Sequence, residues 1–116
     1  MTRRRARVDS THRAMVDDLR RLGWSVVDLS AAGAVVPGLP DLVIGRGGGI
    51  PFAPPPNARG LVTTGDALFV EVKSPGGKLE ATQQEWAMQW SGPLAVCETA
   101  EDVIAAWAAL QQGKRR

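Results

Sequence analysis

The sequence predicts a single α/β domain, a small mixed β-sheet flanked by helices, with elements in the order α-β-β-β-α-β-α. Short apolar runs of strand-forming residues alternate with segments that have helical periodicity. Clusters of Gly and Pro separate these segments and mark loops. A chain of 116 residues is a single-domain length, and it is long enough to bury a modest core without disulfides.

The first helix is predicted over residues 11–22, where apolar residues recur at helical spacing between charged ones. Asp9 or Ser10 is the predicted N-cap, and Gly23 the predicted end. The strands are predicted over residues 24–29, 41–44, 67–73 and 94–98. Residues 31–38 form a small-residue loop. Residues 45–65 are rich in Gly and Pro and lack periodicity, which predicts a long turn or flexible excursion.

Two further helices are predicted over residues 80–91 and 100–111, and Thr99 with Asp102 can form a capping box for the last one. One face of the helix over residues 80–91 carries two tryptophans, which predicts that this face is turned toward the core. The residues of this face are Leu79, Gln83, Trp86 and Trp90. All four tryptophans of the chain are predicted as core residues, not as platforms for stacking bases.

Gln83 is a polar residue on this apolar face, whereas Gln84, on the neighbouring face, is predicted to be exposed. A buried amide needs hydrogen-bond partners, and the nearest fixed polar groups would be those of the strand over residues 67–73. Taken alone, a Gln at such a position is more often a structural hydrogen-bonding residue than a catalytic one.

Three charged residues lie at or inside apolar strands, where ionised side chains are costly. Side chains alternate along a strand, so Glu71 and Lys73 share one side with Phe69. With Asp41 at the start of a neighbouring strand, two carboxylates can hold a divalent cation beside a fixed ammonium, which is the chemistry of phosphodiester cleavage. Two other interpretations remain open: Asp41 as a turn residue, and Glu71 with Lys73 as a surface ion pair.

The ordered motifs resemble those of the PD-(D/E)XK nuclease superfamily, and within it the VRR-NUC family. That pattern is a Gly-x-Pro-Asp strand, an acidic-x-Lys strand, a Gly-rich turn and a helix that bears a Gln. In this chain these motifs are residues 38–41, 71–73, the turn at 74–78 and Gln83. The resemblance covers residues 9–111 and implies a restriction-endonuclease-like core.

The resemblance also implies an activity, that of a divalent-metal-dependent DNA endonuclease, either structure-specific or junction-resolving. Asp41 and Glu71 would bind Mg²⁺ or Mn²⁺ with the backbone carbonyl of Val72. Lys73 would orient or deprotonate the attacking water, and Gln83 would hold Lys73 or that water in place. The relatives often act as dimers, so a homodimer is a further expectation.

The superfamily often has an acidic residue on its first helix, and Asp9 is the candidate for this supporting role. No Glu stands near this position, which departs from the family pattern. A non-catalytic nucleic-acid-binding module that retains the nuclease fold is therefore the alternative function.

The net charge is only +2, but basic residues crowd both ends of the chain. Residues 1–8 and 112–116 are predicted as basic tails that bind the phosphates of DNA. The residues concerned are Arg3, Arg4, Arg5, Arg7, Lys114, Arg115 and Arg116. Solvated tails without a partner are the other interpretation of these charge runs.

Composition excludes several other kinds of site. One cysteine and one histidine cannot build a zinc site, and Cys97 in its apolar run is predicted as a buried residue, not a nucleophile. No motif for a nucleotide or another organic cofactor is present. No segment resembles a membrane span or a secretion signal, so the expectation is a soluble, cytoplasmic protein.

Overall fold

The computed structural model describes the backbone of residues 3–46, 57, 59 and 65–114, and within these ranges the side chains from Ser10 onward. The elements occur in the predicted order, with one additional 3₁₀ helix at Ser30–Ala34. The helices are α1 (Arg3–Arg21), α2 (Ala81–Gln89) and α3 (Ala100–Lys114), and the strands are β1 (Ser25–Asp28), β2 (Leu42–Gly45), β3 (Ala67–Val72) and β4 (Leu94–Cys97).

The four strands form one mixed sheet, as predicted, and their order within the sheet is β1-β2-β3-β4. The β1–β2 and β2–β3 pairs are antiparallel, whereas β3 and β4 are parallel. The β3–β4 connection therefore crosses the sheet, and α2 lies within it. Leu42 is paired with Val70, and Val72 with Cys97, which fixes the neighbours of every side chain on the central strands.

The hydrophobic core lies between one face of the sheet and the helices α1 and α3. Alternate residues of β2 and β3 enter it because side chains of a strand point to opposite faces. The buried apolar residues are Met15, Val16, Leu19, Trp24, Leu42, Ile44, Leu68, Val70, Val72, Cys97, Ala100 and Val103. Trp107 packs against this cluster, edge-on to Trp24 with 5.1 Å between ring centroids.

The expectation that the tryptophans of α2 enter the core is wrong. No residue of α2 is buried, and Trp90 is 40% exposed. These rings contact Phe69, which points to the face of the sheet opposite α1 and α3. We call this the outer face. The α1 and α3 helices already cover the other face, so the apolar side of α2 can pack only on the outer one.

Both terminal helices are longer than predicted. The α1 helix begins at Arg3, so Asp9 and Ser10 are interior residues and their predicted N-cap role is wrong. Much of the predicted N-terminal tail is therefore helical, which its arginines and Ala6 favour by propensity. The α3 helix continues to Lys114, whose ammonium pairs with Asp66 just before β3.

The predicted capping box of α3 is confirmed. The backbone N–H of Asp102 donates to Thr99 Oγ1 over 3.2 Å, and the N–H of Thr99 donates to Asp102 Oδ2 over 3.2 Å. Two backbone donors at the helix start are thus satisfied by side chains. This fixes the point at which the chain leaves β4 and enters α3.

The predicted excursion over residues 45–65 lies mostly outside the described residues. Its two ends are placed: Gly45 pairs with Ala67 across the β2–β3 ladder. The excursion therefore leaves the sheet at the end of β2, whereas Asp41 precedes the start of that strand. Within the described part of the chain, no helix is both long and apolar enough to cross a membrane.

Candidate functional site

Asp41 and Glu71 are brought side by side by the antiparallel pairing of β2 and β3. Leu42 is paired with Val70, so the residues one step further along each strand, Asp41 and Glu71, are also opposite each other. Asp41 also extends the pairing between β1 and β2, because its carbonyl accepts a hydrogen bond from Leu29 N–H over 2.7 Å. Tertiary pairing thus joins two acids that are thirty residues apart in sequence.

Glu71 is buried in spite of its charge, with 3% of its surface exposed. Burial removes its carboxylate from water, and the negative charge and hydrogen bond of the neighbouring Asp41 carboxyl add to that effect. Together they raise the pKa of Glu71 to about 8, although the Lys73 ammonium opposes them. Near neutral pH this site therefore favours either a proton or another cation between the two acids.

Lys73 and Gln83 complete a hydrogen-bonded cluster around Glu71. The Gln83 side-chain amide donates from Nε2 to Glu71 Oε1 over 2.8 Å, and its Oε1 accepts from Lys73 Nζ over 2.8 Å. Lys73 Nζ is also 3.7 Å from Glu71 Oε1. Both polar ends of Gln83 are therefore used, as expected for a polar residue on an apolar helix face.

The first turn of α2 fixes the side chain of Gln83. Its Oε1 also accepts a hydrogen bond from the backbone N–H of Glu80 over 2.8 Å. The same amide oxygen thus satisfies a free donor at the helix start and holds the lysine ammonium. Gln84, in contrast, is exposed and donates to the carbonyl of Leu79 over 3.0 Å, as the sequence predicted for a residue outside the cluster.

Gly38 allows α2 to approach the chain that leads into β2. Its φ is +84°, a conformation that side chains rarely adopt, and a Cβ atom at this position would collide with the carbonyl of Thr82. Thr82 directly precedes Gln83 on α2. The glycine of the Gly-x-Pro-Asp segment therefore positions the helix that carries Gln83, while Asp41 of the same segment joins Glu71.

The oxygen atoms of this cluster suit a hard divalent cation. Asp41 Oδ2 accepts from the Val72 N–H over 2.9 Å, which orients the carboxylate beside Glu71. Extending the register of β2 and β3 sets Pro40 opposite Val72, and a proline has no N–H to donate. The Val72 carbonyl therefore lacks its usual ladder donor and, with the two carboxylates, offers the oxygen ligands that Mg²⁺ and Mn²⁺ prefer.

The site at Asp41 and Glu71 offers fewer ligands than a site in which protein atoms fill every coordination position of the metal. Among the residues whose side chains are described, no group of three or more His, Cys, Asp or Glu residues is arranged to hold a metal ion. The backbone of Asp9 lies within α1, but its side chain is outside the described set. Mg²⁺ commonly keeps several waters and takes only one or two carboxylates, so a two-acid site suits it.

The basic residues assigned to DNA binding are only partly placed. The side chains of Arg3, Arg4, Arg5 and Arg7 lie outside the described set, as do Arg115 and Arg116. Lys114 pairs with Asp66 at the start of β3, whereas Glu71 is near the other end of that strand. At about 3.3 Å per residue, Lys114 therefore contacts the chain roughly 17 Å along β3 from the acids.

Cys97 is a core residue, as predicted. It is buried at the end of β4, and burial raises the pKa of its thiol to about 11. The thiolate is the reactive form of cysteine, so this side chain is inert near neutral pH.

A cavity of about 320 Å³ lies beside the middle of α1 and the start of α3. None of the four clustered residues lines it. Its lining residues are Ser10, Thr11, Ala14, Met15, Asp18, Pro75, Glu98, Thr99, Ala100 and Glu101.

Sequence reasoning missed one feature of this region, an aromatic cluster beside the acids. The ring of Phe69 contacts Trp86 and Trp90, with centroid distances of 5.4 and 4.9 Å. The two indoles stack on each other at 5.3 Å and 20°. The signal was present, because Phe69 shares its strand face with Glu71, but helix periodicity alone cannot say which face of a sheet a helix covers.

Comparisons with protein-family models, curated proteins and solved structures found no significant match to this chain. The resemblance to the VRR-NUC family therefore rests on the motif residues themselves.

Proposed function

We propose that this protein is a divalent-metal-dependent DNA endonuclease with a restriction-endonuclease-like core, related to the VRR-NUC family of PD-(D/E)XK nucleases. One observation carries the proposal: Asp41, Glu71, Lys73 and Gln83 come from three separate elements and converge on one point of the outer face. A buried carboxylate beside a second carboxylate is costly for a fold. Binding of a cation is a function that offsets this cost.

The side chains of Asp41 and Glu71 and the carbonyl of Val72 would hold Mg²⁺ or Mn²⁺. Such an ion supplies charge that polarises a phosphodiester and acidifies a water molecule. The Val72 N–H orients Asp41, and the Gln83 amide orients Glu71, so both carboxylates are held before the ion arrives. Preorganised ligands of this kind reduce the reorganisation needed in the reaction.

Lys73 would act on the attacking water and on the phosphate. Its ammonium is held on one side by Gln83 Oε1, and its side chain is 15% exposed, so substrate can reach it. The positive charge offsets charge that develops on the phosphate oxygens, and the amine can orient or deprotonate water. Gln83 touches no substrate in this scheme and is a positioning residue.

Cleavage assays on DNA of several shapes test the proposal most directly. Purified protein is incubated with labelled linear duplex, single-stranded, flap and four-way-junction DNA, in Mg²⁺, in Mn²⁺ and in chelator. We expect metal-dependent cleavage of at least one substrate, lost in Lys73→Ala. Absence of cleavage on every substrate in both metals, or cleavage that persists at the same rate in Lys73→Ala, would overturn the nuclease proposal.

A non-catalytic nucleic-acid-binding module is the second candidate. One observation favours it: no third acid joins Asp41 and Glu71 among the side chains that the structure describes. A binding module needs no ion at these acids, so Mg²⁺ or Mn²⁺ would leave its melting temperature (Tm) unchanged. DNA binding without metal-induced stabilisation would favour this candidate over the nuclease.

A further inference from the structure

The outer face carries aromatic surface that the fold leaves open to solvent. Trp90 is 40% exposed at the C-terminal end of α2, and no residue of that helix is buried. Its ring is nevertheless held in place by the stack on Trp86, the edge contact with Phe69 and a hydrogen bond from Nε1 to the Pro93 carbonyl over 3.3 Å. A fixed and partly exposed indole can stack a ligand at little cost in side-chain entropy.

This aromatic cluster is continuous with the acid cluster along two elements. Phe69 is two residues before Glu71 on the same face of β3, a distance of about 7 Å along a strand. Trp86 and Trp90 follow Gln83 by one and two helical turns, about 4.5 and 10.5 Å along α2. These separations equal about one to three phosphate spacings of a DNA strand, at about 3.4 Å each in a duplex and more in an extended single strand, so the cluster is within reach of a base a few nucleotides from the scissile phosphate.

Base pairs in the interior of a duplex are stacked on both faces and cannot present a face to a protein ring, whereas an unpaired base can. Stacking of bases on aromatic side chains tolerates any sequence, because every base has a π-face. We propose that Trp90, supported by Trp86 and Phe69, forms a stacking subsite for an unpaired base of the DNA strand held at Glu71 and Lys73. This inference rests on the proposed nucleic-acid substrate, but it does not require catalysis.

Binding measurements with matched variants test the subsite. Fluorescence anisotropy in chelator, where no cleavage occurs, gives the affinity for a labelled single-stranded oligonucleotide and for the same sequence as blunt duplex. The variants are Trp90→Ala, Trp90→Phe and Met88→Ala. Met88 is the matched control because it lies on the same helix and is 86% exposed, yet its side chain has no ring to stack a base. Trp90→Phe keeps an aromatic ring if Trp90→Ala fails to fold.

We expect Trp90→Ala to weaken single-strand binding by about tenfold or more and duplex binding by less than about twofold. Trp90→Phe should retain most of the affinity, and Met88→Ala all of it. Replacing single bases by abasic sites in the oligonucleotide should reproduce the Trp90→Ala loss at one position, because the phosphates stay in place. A loss that appears in Trp90→Ala and disappears with the abasic oligonucleotide would place the base on the ring.

Several outcomes would overturn the subsite. Equal losses on single strand and duplex, or no loss in Trp90→Ala, would show that the indole stacks no base. A wild-type dimer that Trp90→Ala converts to monomer would make this surface an interface between two copies of the chain. Trp90-dependent binding with no cleavage of any tested DNA structure in Mg²⁺ or Mn²⁺ would refute the nuclease alone, and DNA binding and cleavage that do not depend on Trp90 would refute the subsite alone. Wild-type protein that binds neither the single strand nor the duplex would refute the subsite, whereas the nuclease proposal is decided by the cleavage assays in metal.

Discussion

Gln83 Oε1 lies 2.8 Å from Lys73 Nζ and accepts its hydrogen bond, which joins the start of α2 to the end of β3. The same amide donates to Glu71 and is anchored by the Glu80 N–H, so one side chain sets the positions of a cation and an anion together. Lys73 Nζ and Glu71 Oε1 are 3.7 Å apart, and Gln83 is hydrogen-bonded to both, so a substitution of Gln83 would alter the positions of both charged groups.

Replacement of Gln83 by Ala should lower the cleavage rate about tenfold to hundredfold, the usual cost of removing a partner that orients a metal ligand. The physical reason is that Lys73 and Glu71 both lose a fixed hydrogen bond. The matched control is Gln84→Ala, which removes an exposed amide one residue away and should keep the wild-type rate. Similar rates for the two variants would contradict a positioning role for Gln83.

Replacement of Lys73 by Ala should reduce cleavage by a factor of about a hundred or more, because removal of one preorganised electrostatic group commonly costs this much. The fold and its Tm should change little, because Gln83 keeps its bond to the Glu80 N–H. Lys78→Ala is the control: it makes the same charge change at an exposed lysine in the turn after β3. Single-turnover kinetics on the preferred DNA would measure both variants, and an equal loss in Lys78→Ala would point to general charge attraction.

Replacement of Asp41 by Asn should remove most of the stabilisation that the protein gains from bound metal. Wild-type protein should gain about 1.4 kcal/mol of stability at a metal concentration ten times Kd, through mass action on the folded state. The mutant keeps an oxygen that can accept from the Val72 N–H, but it loses a ligand charge and most of this gain. Melting curves in chelator and in Mn²⁺ would measure the difference, with Asp17→Asn on α1 as the control. An unchanged metal gain in Asp41→Asn would show that Asp41 is no ligand.

Stability should also depend on pH through Glu71. Its pKa is raised from 4.5 to about 8, so between these values the folded protein binds more protons here than the unfolded chain. The stabilisation is therefore complete below about pH 4.5 and is lost as pH rises through about 8. Glu71→Gln lacks this titration, so in chelator its Tm relative to wild type should increase as pH rises from about 5 to 8.5.

The control for this pH series is Glu85→Gln, which changes an exposed acid of α2. The Tm difference between this variant and wild type should stay nearly constant over the same range. A constant difference for Glu71→Gln as well would contradict the raised pKa of Glu71, and with it the burial of this carboxyl beside Asp41.

The sequence predicted the features that depend on local spacing. Strand alternation correctly set Glu71 and Lys73 on one face of β3, because the two-residue period is a property of the extended chain itself. The Thr99 and Asp102 cap was likewise predictable, because both partners lie within one helical turn. The order of helices and strands followed from the same local periods.

Tertiary structure alone decided which distant residues meet. Motif resemblance grouped Asp41 with Glu71, but their adjacency depends on the register between β2 and β3, which no local pattern contains. The sequence likewise left undetermined which face of the sheet α2 covers. An apolar helix face predicts that the helix packs against other residues, but it does not identify the surface on which the helix packs. Since α1 and α3 occupy one face, α2 packs on the other, and there Gln83 reaches Lys73 while Trp90 stays partly exposed.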